Sequence, residues 1–288
     1  MNHPAEIKVA RYLEDAVNGK SSMSKETIKQ VCKDIEETLT RQFGSNTKRD
    51  KFKIRMSNVG RPHCQLWFEK NKPNEALPKP TTFIINMMIG DIIEATFKGI
   101  LKEAGVEYEN SSKVTLKLDD NTSVDGTYDL SIDNSIDDIK SASNWSYQNK
   151  FESFETLAAN DSFGYIAQLA GYAKAANKKA GGWWVVNKAN GEFKYVSSEG
   201  IDIDKEVSYI KDTIDKLDKN KFARCYEEKE EVFRGKPTGN KVLETTCSFC
   251  SYRYKCWSTL QELPSLVSQA KVKRKVAYVE IAEEYKNG

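Results

Sequence analysis

Between residues 124 and 143 the chain reads VDGTYDLSIDNSIDDIKSAS, a stretch crowded with carboxylates around one lysine. In an extended strand, residues two apart share a face. Over 123–132 this puts Asp125, Thr127, Asp129 and Ser131 on one side, and Val124, Gly126, Tyr128, Leu130 and Ile132 on the other. Over 135–142 it groups Ile136, Asp138 and Lys140. Asp133-Asn134 is a tight-turn pair between the two runs; if they pair as a hairpin, Asp129 and Asp138 can converge with Lys140 adjacent. Asp125 projects from the same face as Asp129 and competes for its place. Two adjacent carboxylates repel unless a cation lies between them. Oxygen donors select hard ions such as Mg²⁺ or Mn²⁺, and a neighbouring ammonium can hold a phosphate or orient a water. A solvated, charged hairpin edge has the same local pattern, so the rest of the chain has to decide.

The thiols form a second candidate centre. CSFCSYRYKC carries Cys247, Cys250 and Cys256, and Cys64 follows His63 far upstream. A CxxC is a redox pair or half of a zinc site, and zinc usually wants a second close pair. Three clustered thiols plus one distant one suit a cubane iron–sulfur cluster. Cys32 shares a helical face with Ile28, Val31, Ile35 and Leu39 and reads as a small buried hydrophobe. Cys225, on a charged helical stretch, reads as an ordinary thiol.

The elements that must position these groups follow from periodicity. Residues 25–43 and about 82–104 have helical patterns, the second apolar on most sides and so expected to be buried, with Glu94 inside it. A carboxylate there needs a partner. The period then switches to two over 114–118, 123–132 and 135–142. Residues 144–160 read as an aromatic, polar loop. A helix starts at the N-cap candidate Asp161 and carries Gln168 and Tyr172 one turn apart, with Tyr165 close by. GGWWVVNK and GEFKYVSS form a further hairpin in which one of Trp183 and Trp184 faces inward. A charged helix covers roughly 203–230, residues 231–246 read as a loop, and 263–288 have no clear role. Helices alternating with strands predict an α/β core.

Taken together, Glu94, then GTYD (126–129), DIK (138–140) and QLAGY (168–172) resemble the PD-(D/E)XK nuclease superfamily in its RecB-like exonuclease branch. The resemblance implies a restriction-endonuclease-like core, a central mixed sheet flanked by helices, over 81–230. It implies that Glu94, Asp129 and Asp138, with the carbonyl of Ile139, bind Mg²⁺ or Mn²⁺. Lys140 would position the water or steady the scissile phosphate, and Gln168 and Tyr172 would hold the site and the DNA backbone. Iron–sulfur members of this branch carry one cysteine upstream of the nuclease core and a trio after it, which SNVGRPHCQLWF (57–68) and CSFCSYRYKC resemble. That implies a [4Fe-4S] cluster on Cys64, Cys247, Cys250 and Cys256. It would join an N-terminal helical arm (1–80) to a C-terminal cysteine-bearing region (231–288). The likeness is to the small nucleases of phage recombination and CRISPR adaptation, and the expected activity is exonucleolytic hydrolysis of DNA ends, single- or double-stranded.

Composition limits the alternatives. Lys+Arg is 44 against Asp+Glu 42, so net charge does not identify a partner. No apolar run reaches the ~20 residues of a membrane span, and the N-terminus lacks a signal-peptide core. The expectation is a cytoplasmic protein, of a bacterium or a phage-infected cell, without membrane contact and with DNA and recombination or replication proteins as partners. Trp145, Tyr147, Gln148 and Lys150, after Lys140, suit base stacking and phosphate neutralisation. Arg61, His63, Arg253 and Lys255 flank the cysteines and add positive charge. RGKPTGNK does not make a G-x4-G-K-[ST] phosphate loop, so no motor is expected. Two further readings are a non-catalytic DNA-binding or assembly subunit and a zinc-stabilised interaction protein.

Overall fold

In the computed structural model, which describes residues 3–44 and 52–286, the hairpin at the centre of the sequence turns as its residues dictate. Asp133 and Asn134 both take left-handed φ, 48° and 60°, the conformation of a type I′ turn, which Asn and Asp tolerate best after glycine. The helices are α1 (Pro4–Val17), α2 (Lys25–Phe43), α3 (Met56–Val59), α4 (His63–Asn71), α5 (Thr82–Glu103), α6 (Phe154–Ala159), α7 (Tyr165–Ala176), α8 (Ile203–Asp218), α9 (Thr245–Ser248) and α10 (Arg253–Cys256). The strands are β1 (Glu109–Lys117), β2 (Ser123–Ile132), β3 (Ser135–Ala142), β4 (Lys179–Asn187), β5 (Phe193–Ser197), β6 (Lys229–Phe233), β7 (Lys236–Val242), β8 (Gln261–Pro264) and β9 (Lys275–Glu280).

The three expected segments regroup into two compact units, Met1–Gly60 with Pro80–Asp215, and Arg61–Lys79 with Lys216–Gly288. The first unit is α/β. Its five-stranded sheet has the order β1-β2-β3-β4-β5 and is antiparallel except between β3 and β4. That parallel step needs a crossover, which carries α6 and α7. Both faces of the sheet are covered. One core joins Met56, Val124, Tyr128, Leu169, Tyr172 and Trp183; the other joins Val9, Phe97, Leu101, Leu130, Ile132 and Trp184. Trp183 and Trp184 are therefore both fully buried, not one of the two: alternation sends them to opposite faces, and each face has its own core. Strand β2 does not keep one apolar face. Val124 and Tyr128 serve the first core and Leu130 and Ile132 the second, so the change falls at Asp129.

Other expectations change with packing. The apolar stripe of α2 is only partly covered: Val31 and Ile35 are half-buried, Ile28, Leu39 and Cys32 are exposed, and Thr27 and Thr38 are buried. Helix α5 is buried at Ala95, Phe97 and Leu101, but Phe83, Ile85 and Met87 in its first turns remain exposed. Residues 144–160 hold a π-helical turn, Ser146–Lys150, and α6 instead of a loop. Helix α8 stops at Asp218 instead of continuing to about 230. In the second unit, 231–246 supplies a β6–β7 hairpin and the tail supplies β8 and β9, giving a four-stranded sheet of order β6-β7-β9-β8. Among the described residues, no helix is long and apolar enough to cross a membrane.

Candidate functional site

The β2–β3 ladder runs Ile132↔Ser135, Ser131↔Ile136 and Leu130↔Asp137 and then ends. Asp129 and Asp138 are next in register, where the strands part. Antiparallel residues in register point to the same side, and here both side chains meet. Asp129 Oδ2 accepts the Ile139 N–H at 2.9 Å, and Lys140 Nζ lies 2.5 Å from Asp138 Oδ2. Asp138 is almost wholly buried, and its Oδ2 has no partner in hydrogen-bond geometry. The lysine contact is thus a close ion pair off hydrogen-bond geometry.

Helix α5 brings Glu94 to the same place. Its Oε1 accepts from Lys98 Nζ at 2.6 Å, an i,i+4 pair on one helix face. The three carboxylates perturb one another. Burial, then Asp129, raises Glu94 above its ordinary value, against the pull of Lys98. Burial, then Asp138, raises Asp129. Burial raises Asp138, with Glu94 adding to the rise and Lys140 opposing it. For Lys140 burial acts downward, but Asp138 and Asp129 outweigh it, and the ammonium stays charged well above the usual lysine range. Three carboxylates so arranged outnumber the two ammonium groups that pair with them, Lys98 and Lys140.

Helix α7 completes the surroundings. Asp161 accepts the N–H groups of Gly164, Tyr165 and Ile166 at 2.9, 3.0 and 2.9 Å. It caps a helix that begins at Tyr165, four residues later than the sequence predicts. Gln168 Nε2 lies 3.4 Å from the Tyr172 hydroxyl. Burial pushes that phenol up to about 12, with Asp138 and Asp129 contributing. The Tyr172 ring lies so close to Gly126 that a Cβ there would come within 2.5 Å of Tyr172 Cε1 and of Met56 Cβ. The glycine of GTYD is thus a packing requirement.

Asp125 is not at this centre. It is exposed, with Lys53 at 2.7 Å and Thr115 at 2.9 Å. Of the group after Lys140, Trp145 is 63% exposed. Tyr147 packs under Lys194, and Lys150 is buried beneath Phe163 and Tyr165. Two neighbours were missed in the sequence. Lys98 could have been found from its i,i+4 spacing to Glu94. Tyr165, whose ring centroid is 4.9 Å from Lys140 Nζ, was noted without that contact.

In the second unit, Cys64, Cys247, Cys250 and Cys256 line one concavity of about 380 Å³, open solvent included, with Phe68 and Trp257 in its wall. Burial first, then neighbouring thiols, pushes Cys247 up to about 12. Cys250 is pushed up to about 11, again mainly by burial. A bound cation relieves such mutual repulsion, and thiolates are the donors iron–sulfur clusters use. Cys225 is not the isolated thiol expected: its Sγ accepts the Cys64 N–H at 3.2 Å and lies 3.3 Å from His63 Nδ1. The flanking cations are paired, Arg61 with Glu69, Arg253 with Glu262 and Lys255 with Glu75, so they supply less free positive charge than their number implies. Among the described residues, no group of three or more His, Cys, Asp or Glu side chains is placed to hold a metal ion as it stands.

No protein-family model matches the chain, and no curated protein matches it. Among solved structures the chain is similar to SSO0001, with a TM-score of 0.42 and 15% sequence identity over 80% of this chain and 96% of that chain.

Proposed function

We propose that this chain is a divalent-metal-dependent deoxyribonuclease of the RecB-like PD-(D/E)XK kind, an exonuclease acting on DNA ends in phage-type recombination, end resection or CRISPR-adaptation-like processing. One observation carries the reading: carboxylates from α5, β2 and β3 come close enough to perturb one another beside the half-buried Lys140, which pairs with Asp138 Oδ2. Glu94, Asp129, Asp138 and the Ile139 carbonyl would hold Mg²⁺ or Mn²⁺. When bound, the ion supplies Lewis acidity to a phosphodiester and lowers the pKa of water. Lys140 adds positive charge where the in-line transition state gathers negative charge, an effect worth on the order of 10²–10³ in rate for a single well-placed donor. Tyr165 limits where the Lys140 ammonium can swing. The buried Tyr172 and the half-buried Gln168 would fix the wall behind the carboxylates, and the Gln168 amide is the group of the two that would be offered to the DNA backbone. The concavity of the second unit would hold a [4Fe-4S] cluster on Cys64, Cys247, Cys250 and Cys256. Its contribution is to folding, since metal binding free energy becomes folding free energy.

A second reading, a non-catalytic DNA-binding or assembly subunit, draws on the two ion pairs. Lys98 and Lys140 already partner two of the three carboxylates. One assay separates the readings. End-labelled single- and double-stranded DNA is incubated with Mg²⁺ or Mn²⁺ and wild type, Lys140→Ala or Asp138→Asn. Metal-dependent shortening by wild type, lost in both folded variants, is the expected result. A wild type inert with every metal, or a variant as active as wild type, removes the nuclease reading.

A further inference from the structure

The sequence leaves Cys225 without a role, and the fold brings it to the other cysteines. Its sulfur receives the Cys64 backbone N–H at 3.2 Å and touches His63 Nδ1 at 3.3 Å. The residue before it is tied to the downstream trio: Arg224 Nε and Nη2 donate to the Cys256 carbonyl at 3.1 and 2.7 Å. The same guanidinium stacks 4.2 Å from the Trp257 ring centroid. The residue after it, Tyr226, lines the concavity that holds Cys64, Cys247, Cys250 and Cys256. Both neighbours of Cys225 are therefore anchored at the thiol site, and five of the chain's six cysteines gather there.

A cubane takes four thiolates. The two candidates for its fourth corner differ in freedom. Cys64 sits in the first turn of α4, is buried, and has its backbone fixed by the helix. Cys225 lies in the irregular segment between α8 and β6 and is only half-buried. A thiol on irregular backbone, held at both sides and in contact with the corner it would replace, can move to a metal with little rearrangement.

We infer that Cys225 is a fifth thiol of this metal site, able to take the corner that Cys64 occupies when Cys64 is absent or released. The inference rests on the proposed cluster. The exchange is a ligand substitution: one Fe–S(Cys64) bond breaks as one Fe–S(Cys225) bond forms. The incoming thiol gives up its proton, the leaving thiolate takes one, and no electron is transferred.

The test uses the full chain, prepared without oxygen and supplied with ferrous iron and sulfide, as wild type, Cys64→Ala, Cys225→Ala and the double variant. Iron and sulfide per chain and the visible absorption of the cluster are read. Wild type and Cys225→Ala should fill fully, Cys64→Ala should keep most of its iron, and the double variant should lose it. Cys64→Ala as empty as the double variant would overturn the fifth-thiol inference while leaving the cluster intact. A wild type that takes up no iron would overturn the cluster reading and this inference with it. Should Cys64→Ala fail to fold, the rate of iron loss to a chelator decides instead. Cys225→Ala should lose iron several-fold faster than wild type, because a released corner is not recaptured, and equal rates would count against the inference.

Discussion

Asp129 and Asp138 stand opposite one another one step beyond the last paired residues of the β2–β3 ladder, and the Asp129 carboxylate accepts the backbone N–H of Ile139. The strands part where the charges begin. Burial and mutual repulsion raise both acids above the ordinary carboxylate pKa, so the pair keeps a proton to higher pH than a surface aspartate would.

On the proposed metal-binding reading, that displacement sets a direction. A divalent ion needs the deprotonated form and must expel whatever proton the pair retains. As pH falls from neutral toward the usual carboxylate range of ~4, the Mn²⁺ affinity should drop by up to about tenfold per pH unit for each proton displaced. The loss should begin well before a surface carboxylate would titrate. Titrating metal-free protein with Mn²⁺, followed by electron paramagnetic resonance across this range, measures it. An affinity flat down to about pH 5 would mean that neither aspartate binds the ion.

Lys98 gives a prediction of opposite sign to the acid it pairs with. Its ammonium holds Glu94 Oε1 at 2.6 Å, so on the proposed reading it competes with a metal for that carboxylate. Lys98→Met keeps the buried stem and removes the competing cation, and at about pH 8 it should tighten Mn²⁺ binding by several-fold. Glu94→Gln should weaken binding by about tenfold or more, on the scale of losing a ligand's support. Weaker binding in Lys98→Met would show that the lysine orients Glu94 instead of competing for it.

Asp137, on the other face of β3, should make stability depend on pH. Burial pushes it up to about 7, although the Tyr195 hydroxyl donates to Oδ1 at 2.8 Å and the Trp184 indole to Oδ2 at 3.4 Å. A carboxyl whose pKa rises on folding binds its proton more tightly in the native state. The resulting stability is fully present below the unfolded value of ~3.9 and is lost as pH rises through the folded value. Metal-free protein should therefore lose stability between about pH 4 and about pH 7, by an amount on the order of a few kcal/mol. Asp137→Asn is neutral throughout and should flatten part of that slope, leaving the share due to Asp129 and Asp138. Urea melts at several pH values give the comparison, and an unchanged slope would exclude Asp137 as a source.

The site was more legible than its surroundings. Period-two alternation and the Asp133-Asn134 turn point to the β2–β3 hairpin, and the observed register brings Asp129, Asp138 and Lys140 together. Glu94 stood out as a carboxylate in an apolar helix. What alternation alone misses is tertiary. Trp183 and Trp184 are both buried because each sheet face has its own core. Val124 and Leu130 share a strand parity yet serve different cores because β2 changes face at Asp129. Cys32 and Cys225 exchange roles for the same reason. Cys32 falls on the part of the α2 stripe that its neighbours leave uncovered, whereas Cys225, with no motif around it, is delivered to Cys64 by chain folding over a long separation.

Gly126 tests whether the glycine of GTYD serves packing or backbone conformation. Its φ is not left-handed, so a side chain costs nothing in backbone strain. An added Cβ would instead meet Tyr172 Cε1 and Met56 Cβ, each at 2.5 Å. Both neighbours are buried among core residues and have little room to yield. Gly126→Ala should destabilise the chain by about 1–3 kcal/mol, the usual cost of overpacking a filled core, with the melting temperature falling by roughly 2–4 °C per kcal/mol. The displaced Tyr172 ring carries the hydroxyl that Gln168 meets, so on the nuclease reading cleavage should fall more than the lost folded fraction explains. Adding Tyr172→Ala to Gly126→Ala removes one of the two clashes. The double variant should then lose less stability than the two single losses added together, a non-additivity expected of residues in contact. Strictly additive losses would place the cost of the extra methyl elsewhere than against the tyrosine.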